Sequence, residues 1–373
     1  MKKAVEAANI NNLREYSNSI DSAVKSAKEN IVSTAKNYQN NHISSQAGFV
    51  AEDIHIGSFN IDSAIKRSSL KAVKEKNGYH GDYKVLRGSK VVQKGEFKHY
   101  NTPKQTENAM RGYGDRKLVG PKEQIEEVKK IARKKALSNK NTRPQVAKEH
   151  QKVYKNATDS IKQDGVSSRP KTNKEIRKMT KKAQKGQVDA AELMPDLKES
   201  LKSSAQSGAL EGAKLGAAFG GGMSVVSNFS DVIQGKKEIK EAVIDTSIET
   251  VKSAADSAVK NAVGSMAKVT STRLAEKVGN EVAKKALGSA APVIVATTLV
   301  ETAKDVYKYA NGEIDGEEVI KNTGKNIATA SAAWAGAEAG AAVGTMVGGP
   351  IGGAIGGLVG GVLGALGVGS LFD

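Results

Sequence analysis

Gly336, Gly340, Gly344, Gly348, Gly352, Gly356, Gly360 and Gly364 recur at every fourth position without a miss. Side chains four residues apart share one face of a helix, so this spacing predicts a nearly straight groove without side chains. Another backbone can approach closely along such a groove. A second file, Gly349, Gly353, Gly357 and Gly361, runs beside it, and Gly208, Gly212, Gly216 and Gly220 form an earlier one with which it can pack. Each glycine costs a helix about 1 kcal/mol relative to alanine in water, so these segments need a partner surface or lipid to stay folded.

No charged residue occurs from Ala339 to Phe372. That length is ample for a hydrocarbon core about 30 Å thick. Pro350, beside Gly348 and Gly349, argues for two shorter helices in a hairpin over one long span. The tail resembles glycine-zipper membrane-associated segments. Three roles stay open to it: the close-packed core of a helical domain, insertion into or perforation of a membrane through 339–372, and self-association through the glycine faces.

Of the 373 residues, 39% are hydrophobic but only 4% aromatic, which favours thin helical packing over a bulky core. With no cysteine there are no disulfides, thiolate metal sites or thiol nucleophiles, as suits a reducing compartment. Lys2 and Lys3 precede no apolar run, so no secretory signal is read and a cytoplasmic location, with membrane association through the tail, is expected. Most of the net charge of +17 falls within residues 111–187, whereas 188–373 are net acidic. A basic stretch of this kind suits a polyanion, with nucleic acid ahead of anionic lipid. Lys129, Lys130, Arg133, Lys134 and Lys135 are its densest cluster, on a predicted helix.

Periodicity divides the chain into a helical segment at 1–45, an α/β module at 46–138, a basic and partly helical linker at 139–189, and an alanine- and glycine-rich helical domain at 190–373. The class is α+β and multidomain. Within the module, 46–60 reads as a buried helix and 61–76 as further helix. Tyr83–Leu86 and Val91–Lys94 read as strands, 104–112 as a short helix, Lys117–Val119 as a strand, and the stretch from Pro121 to Leu137 as a helix. Asn311-Gly312 reads as a helix stop, with Asp315 capping the next helix. There is no Walker loop or Gly-x-Ser-x-Gly elbow, and Gly220-Gly221-Gly222 follows a helical pattern, which argues against a dinucleotide fold.

The hairpin carries the chemistry. Glu96 and Lys98 lie two apart on one strand and share a face. Asp82 joins that face only if an odd number of residues separates the paired strands. A three-residue loop, Gly88-Ser89-Lys90, satisfies this and sets Asp82 opposite Glu96. The same register places Tyr83, Val85, Val91 and Phe97 together on an apolar face. Two carboxylates on adjacent strands suit a hard cation. A lysine beside them can offset charge developing on a phosphate.

Asp82 followed by Glu96-Phe97-Lys98 resembles the PD-(D/E)XK nuclease superfamily, the restriction-endonuclease-like fold, over residues 46–138. The predicted order helix, strand, strand, helix, strand, helix also matches the superfamily core. The resemblance implies that Asp82 and Glu96 hold Mg²⁺ or Mn²⁺, that Lys98 is the catalytic lysine, and that Glu52, on the first core helix, helps hold the metal. Gly81 stands where the name-giving proline would be. The expectation is a metal-dependent DNA nuclease tethered to a membrane-associating or self-associating tail, by analogy a bacterial toxin, defence or mobile-element effector. The rival is a non-enzymatic, membrane-active protein whose basic segment binds lipid or nucleic acid.

Overall fold

The computed structural model describes residues 2–75, 81–220, 248–275, 293–294, 300–301, 304–305, 308, 313–315, 318, 321–322, 325–326, 328–335 and 337–338. The chain forms two compact units, Ile20–Asp196 and the combination of Met1–Ser19 with Leu197–Asp373. The division falls within the first helix, α1 (Lys2–Asn37).

Ile20–Asp196 is a mixed α/β unit. In its part of α1, Ile20, Val24, Ala27, Ile31 and Ala35 recur at helical spacing and are buried. Ala27 faces Gly57 of α2 (Ile43–Ile65), where an added Cβ would lie 2.6 Å from the Ala27 Cβ. α2 begins at His42, whose Nδ1 accepts the Ser44 amide, and is buried on most of its circumference, as its apolar sequence demands. It ends earlier than expected. Arg67 adopts φ 52° and turns the chain into β1 (Leu70–Lys74), so part of the stretch predicted as helix to 76 is a strand. The Asn60 side chain holds that strand by donating to the Ala72 carbonyl and accepting from its amide, at 2.9 and 2.7 Å.

β1 begins a five-stranded sheet in the order β1-β2-β3-β4-β5. β2 (Tyr83–Arg87) is antiparallel to β1 and to β3 (Lys90–Phe97). α3 (Pro103–Ala109) then crosses over to β4 (Lys117–Val119), parallel to β3. The first elements are therefore helix and three strands, one strand more than expected. α4 (Ile125–Ser138) and α5 (Pro144–Asn156) lead to β5 (Ala157–Thr158), parallel to β4.

Residues 139–189, expected as a linker, are thus built into this unit. They supply β5, the small hairpin of β6 (Lys162–Gln163) and β7 (Val166–Ser167), and α6 (Asn173–Gln184) with a Thr172/Glu175 capping box. α7 (Ala190–Leu193) follows. One core, including Ile56, Phe59, Tyr83, Val85, Phe97 and Ile161, lies between α2 and the sheet. A second, including Met110, Leu118, Val128, Ala132 and Val153, lies under α4 and α5.

In the other unit, α8 (Leu197–Gly220) packs against α9 (Ile248–Ala275). Glycine makes the approach possible: a Cβ at Gly208 would lie 2.5 Å from the Asn261 carbonyl oxygen, and one at Gly212 only 2.1 Å from that of Ser257. Polar side chains tie α9 to the start of α1, with Asn261 donating to Asn9 and Asn9 to Ser257. Ile10, Leu13, Val293 and Trp334 share an apolar cluster. Asp315 accepts the Glu318 amide at 2.8 Å, as expected of the predicted cap. Gly336 and the glycines from Gly340 to Gly364 lie outside the described residues. Among the described residues no helix is long and apolar enough to cross a membrane.

Candidate active site

The register of the β2–β3 hairpin decides which side chains meet. Arg87 pairs with Lys90 and Leu86 with Val91, leaving a two-residue turn, Gly88-Ser89. Such a turn alone would send Asp82 to the apolar face. A β-bulge between Val85 and Leu86 corrects the count, because Val85 pairs with Gln93 and Val92 is the extra residue. Beyond the bulge Lys84 pairs with Lys94 and Tyr83 with Gly95. The expected pairing next to Asp82 therefore holds, by a two-residue turn plus a bulge and not by a three-residue loop. The cost falls on Val91, which was expected on the apolar face and is 40% exposed, while Val92 packs on the core.

Asp82 continues the ladder in both directions: its amide donates to the Gly95 carbonyl, and its own carbonyl accepts from the Glu75 amide, both at 3.0 Å. Its carboxylate turns to β3, where Oδ2 accepts the Phe97 amide at 2.8 Å. Gly81 precedes it with φ 141°, a conformation that proline, locked near −65°, cannot adopt. The proline missing from the motif is thus excluded by backbone geometry. Gly95 is needed for another reason: the Tyr83 ring lies over it, 2.3 Å from where a Cβ would stand.

The Lys98 ammonium joins the two acids. It donates to Glu96 Oε2 at 3.2 Å and lies 3.6 Å from Asp82 Oδ2. It also sits over the Tyr113 ring, 4.5 Å from the centroid. Glu96 is buried; its other oxygen, Oε1, accepts no hydrogen bond and has the Arg116 guanidinium 3.5 Å away. Burial, and then the negative charge of Asp82, raise the Glu96 pKa above the ordinary carboxylate range, against the pull of Lys98 and Arg116. Burial lowers an ammonium's pKa, but Asp82 and Glu96 outweigh it and hold Lys98 above its usual value.

Glu52 stands apart from this trio. Its carboxylate pairs with Lys74 at 3.2 Å, and Lys74 also donates to Asp53 at 3.1 Å. Burial, with repulsion from Asp82 and Asp53, raises the Glu52 pKa to about 7 despite Lys74. It shares the electrostatic field of Asp82 without joining its contacts. Among the described residues no three His, Asp or Glu side chains are gathered at metal-ligand spacing. What the fold gathers is a pair of carboxylates with one buried, unbonded oxygen. A pair suits Mg²⁺, which takes one or two carboxylates and completes its shell with water and phosphate oxygens.

Four residues at or beside the site had no role in the sequence reading: Lys74, Glu75, Tyr113 and Arg116. Glu75 pairs with Lys84 at 3.5 Å and flanks Gly81 opposite Glu96. Tyr113 and Arg116 come from the loop between α3 and β4, where Gly112 and Gly114 were the available signal.

The histidines beside the motif face inward. His99 lies beside His55 with the rings tilted and their centroids 5.8 Å apart, and burial lowers its pKa to about 4. His55 meets the Ser168 hydroxyl through Nδ1 at 3.0 Å and is held neutral by burial. Neither is free to touch a phosphate. His80 lies outside the described residues.

The basic residues of α4 divide into two groups. Lys129 and Lys130 pair with Glu126 and Glu127 one turn away, and Arg133 and Lys134 are exposed. Lys135 is committed inward. It donates to Glu107 Oε2 at 2.6 Å, while His150 Nδ1 meets Glu107 Oε1 at 2.5 Å. Glu107 is wholly buried, so this charge network joins α3, α4 and α5. The chain matches no protein-family model, no curated protein and no solved structure.

Proposed function

We propose that the unit Ile20–Asp196 is a metal-dependent endonuclease of restriction-endonuclease-like fold that hydrolyses phosphodiester bonds in DNA. The observation that carries this reading is the meeting of Asp82, Glu96 and Lys98, with Glu96 Oε1 buried and unbonded. Asp82 and Glu96 would hold Mg²⁺ or Mn²⁺, and Glu52, whose pKa the Asp82 charge helps raise, would be the additional carboxylate. Such a cation lowers the pKa of a bound water and polarises a phosphoryl oxygen.

The protein groups have separable tasks. The Phe97 amide fixes the Asp82 carboxylate toward β3. The Tyr113 ring and both acids hold Lys98 as a cation beside them, where it offsets charge developing on the phosphate. Lys130 and Lys134, exposed on α4, supply sequence-independent attraction to the DNA backbone. Lys135 contributes to the fold instead. The helical unit, with its glycine seam at Gly208 and Gly212, serves helix–helix association, within the chain or between copies, and the tail 339–372 remains its membrane-associating candidate.

Plasmid nicking with and without Mg²⁺ tests the reading. Lys98→Ala should lower the rate by about 100-fold or more with the fold retained by circular dichroism. Full cleavage by that variant, or cleavage unaffected by chelation, removes the assignment.

A further inference from the structure

The apolar stripe of α4 outruns the core it serves. Ile125, Val128 and Ala132 are buried, and Ala136 continues the same file one turn further. Beside it Leu137 is 66% exposed, the largest exposure among the described large hydrophobic side chains. Across from it, α5 buries Ala147 and Val153 but leaves Tyr154 40% exposed. Leu137, Ala147 and Tyr154 line one groove over the α4–α5 connection, with a volume of about 410 Å³.

The rim is cationic. Arg133, Lys140 and Lys148 line the groove, and no acidic side chain does. None of the three has an ion-pair partner among the described residues, unlike Lys129, Lys130 and Lys135 of α4 and Lys152 of α5. Three unpaired cations around an aliphatic floor combine two costs that a partner would relieve at once.

We propose that this groove docks an amphipathic, acidic helix of another protein. An apolar side chain of that helix enters between Leu137 and Tyr154, and its carboxylates face Arg133, Lys140 and Lys148. The lining favours a protein over nucleic acid. Its uncharged lining is mostly aliphatic (Ala136, Leu137, Pro144 and Ala147), Tyr154 is the one aromatic ring on which a base could stack, and Gln151 is the single amide available to read one. The groove is distinct from the Asp82–Glu96–Lys98 cluster, so the inference does not depend on the nuclease reading.

The test uses the full-length chain and a labelled helical peptide with leucine at every fourth position and glutamate elsewhere on its polar face. Controls are the same peptide with lysine for glutamate and a single-stranded oligonucleotide. Fluorescence anisotropy should show binding of the acidic peptide alone, weakened about tenfold or more by Leu137→Glu and by Lys140→Glu combined with Lys148→Glu. Leu137 is exposed, so its replacement leaves the core intact, and circular dichroism checks this. Acidic-peptide binding unchanged in both variants overturns the proposal. So does oligonucleotide binding that Leu137→Glu weakens while the acidic peptide fails to bind.

Discussion

The Tyr83 ring packs against the backbone of Gly95, its cross-strand partner, so close that a methyl group there would stand 2.3 Å from the ring carbons. Tyr83 is fully buried, and its hydroxyl donates to Gln93. Gly95→Ala must therefore displace the ring from the core or distort β3 next to Glu96. The expected loss is about 1–3 kcal/mol, the usual cost of overpacking, read from the midpoint of urea unfolding. An unchanged midpoint would show that the ring has another place to go.

Glu52 and His99 give opposing pH dependences. The Glu52 pKa is raised to about 7, so its proton favours the fold. That stability is present below the unfolded value near 4.5 and is lost as pH rises through 7. The His99 pKa is lowered to about 4, so its neutral form favours the fold, and that stability is lost as pH falls from 6.5 toward 4. Each contribution is at most about 3 kcal/mol. Between pH 4.5 and 6.5 the two cancel in metal-free buffer. Glu52→Gln should expose the histidine slope, with stability rising with pH, and chemical denaturation across that range measures it. A slope equal to that of the parent chain counts against the assignment.

Glu107 ties three helices through its two oxygens. Glu107→Ala leaves His150 without its buried acceptor and Lys135 without its anchor, and should cost about 3 kcal/mol. Lys135→Ala should cost less, about 2 kcal/mol, because the buried Glu107 keeps His150 and the ammonium that it loses is partly in contact with water. Thermal unfolding of the two variants reads the ranking. A DNA-binding titration then tests the proposed division of α4, since nonspecific DNA affinity should change more with Lys134→Ala than with Lys135→Ala.

Gly212 has less room than Gly208, its neighbour one turn back on α8. Gly212→Leu cannot be seated without moving α8 off α9. Hydrogen exchange should accelerate across 248–275 while Tyr83–Phe97 keeps its protection. Equal acceleration in both stretches would mean that the two units do not unfold independently.

The shared face of the hairpin was legible because parity is a count: Asp82 joins Glu96 and Lys98 only if an odd number of residues intervenes between the paired positions. The bulge was not legible, since Val91 and Val92 are chemically alike and the sequence does not mark which of them leaves the face. β1 was missed because Leu70, Ala72 and Val73 suit a helix as well as a strand, and Asn60, which holds the strand edge, is remote in sequence. β5 to β7 have two residues each, too few for any periodicity. Their stability comes from contacts such as Ser168 to Ile161 and His55, which no local pattern announces. Tyr113 and Arg116 reach the acids from a separate loop, and only the fold brings them there.

The bulge at Val92 makes the hairpin's arithmetic modular. Lengthening the turn by one residue while deleting Val92 would leave the same atoms facing one another at Asp82. Either change alone would turn the strand inside out and bury a carboxylate where Tyr83 now lies. Related chains can therefore carry hairpin tips of different lengths and still present one unchanged cluster, provided each gain at the tip is matched by a loss along the strand.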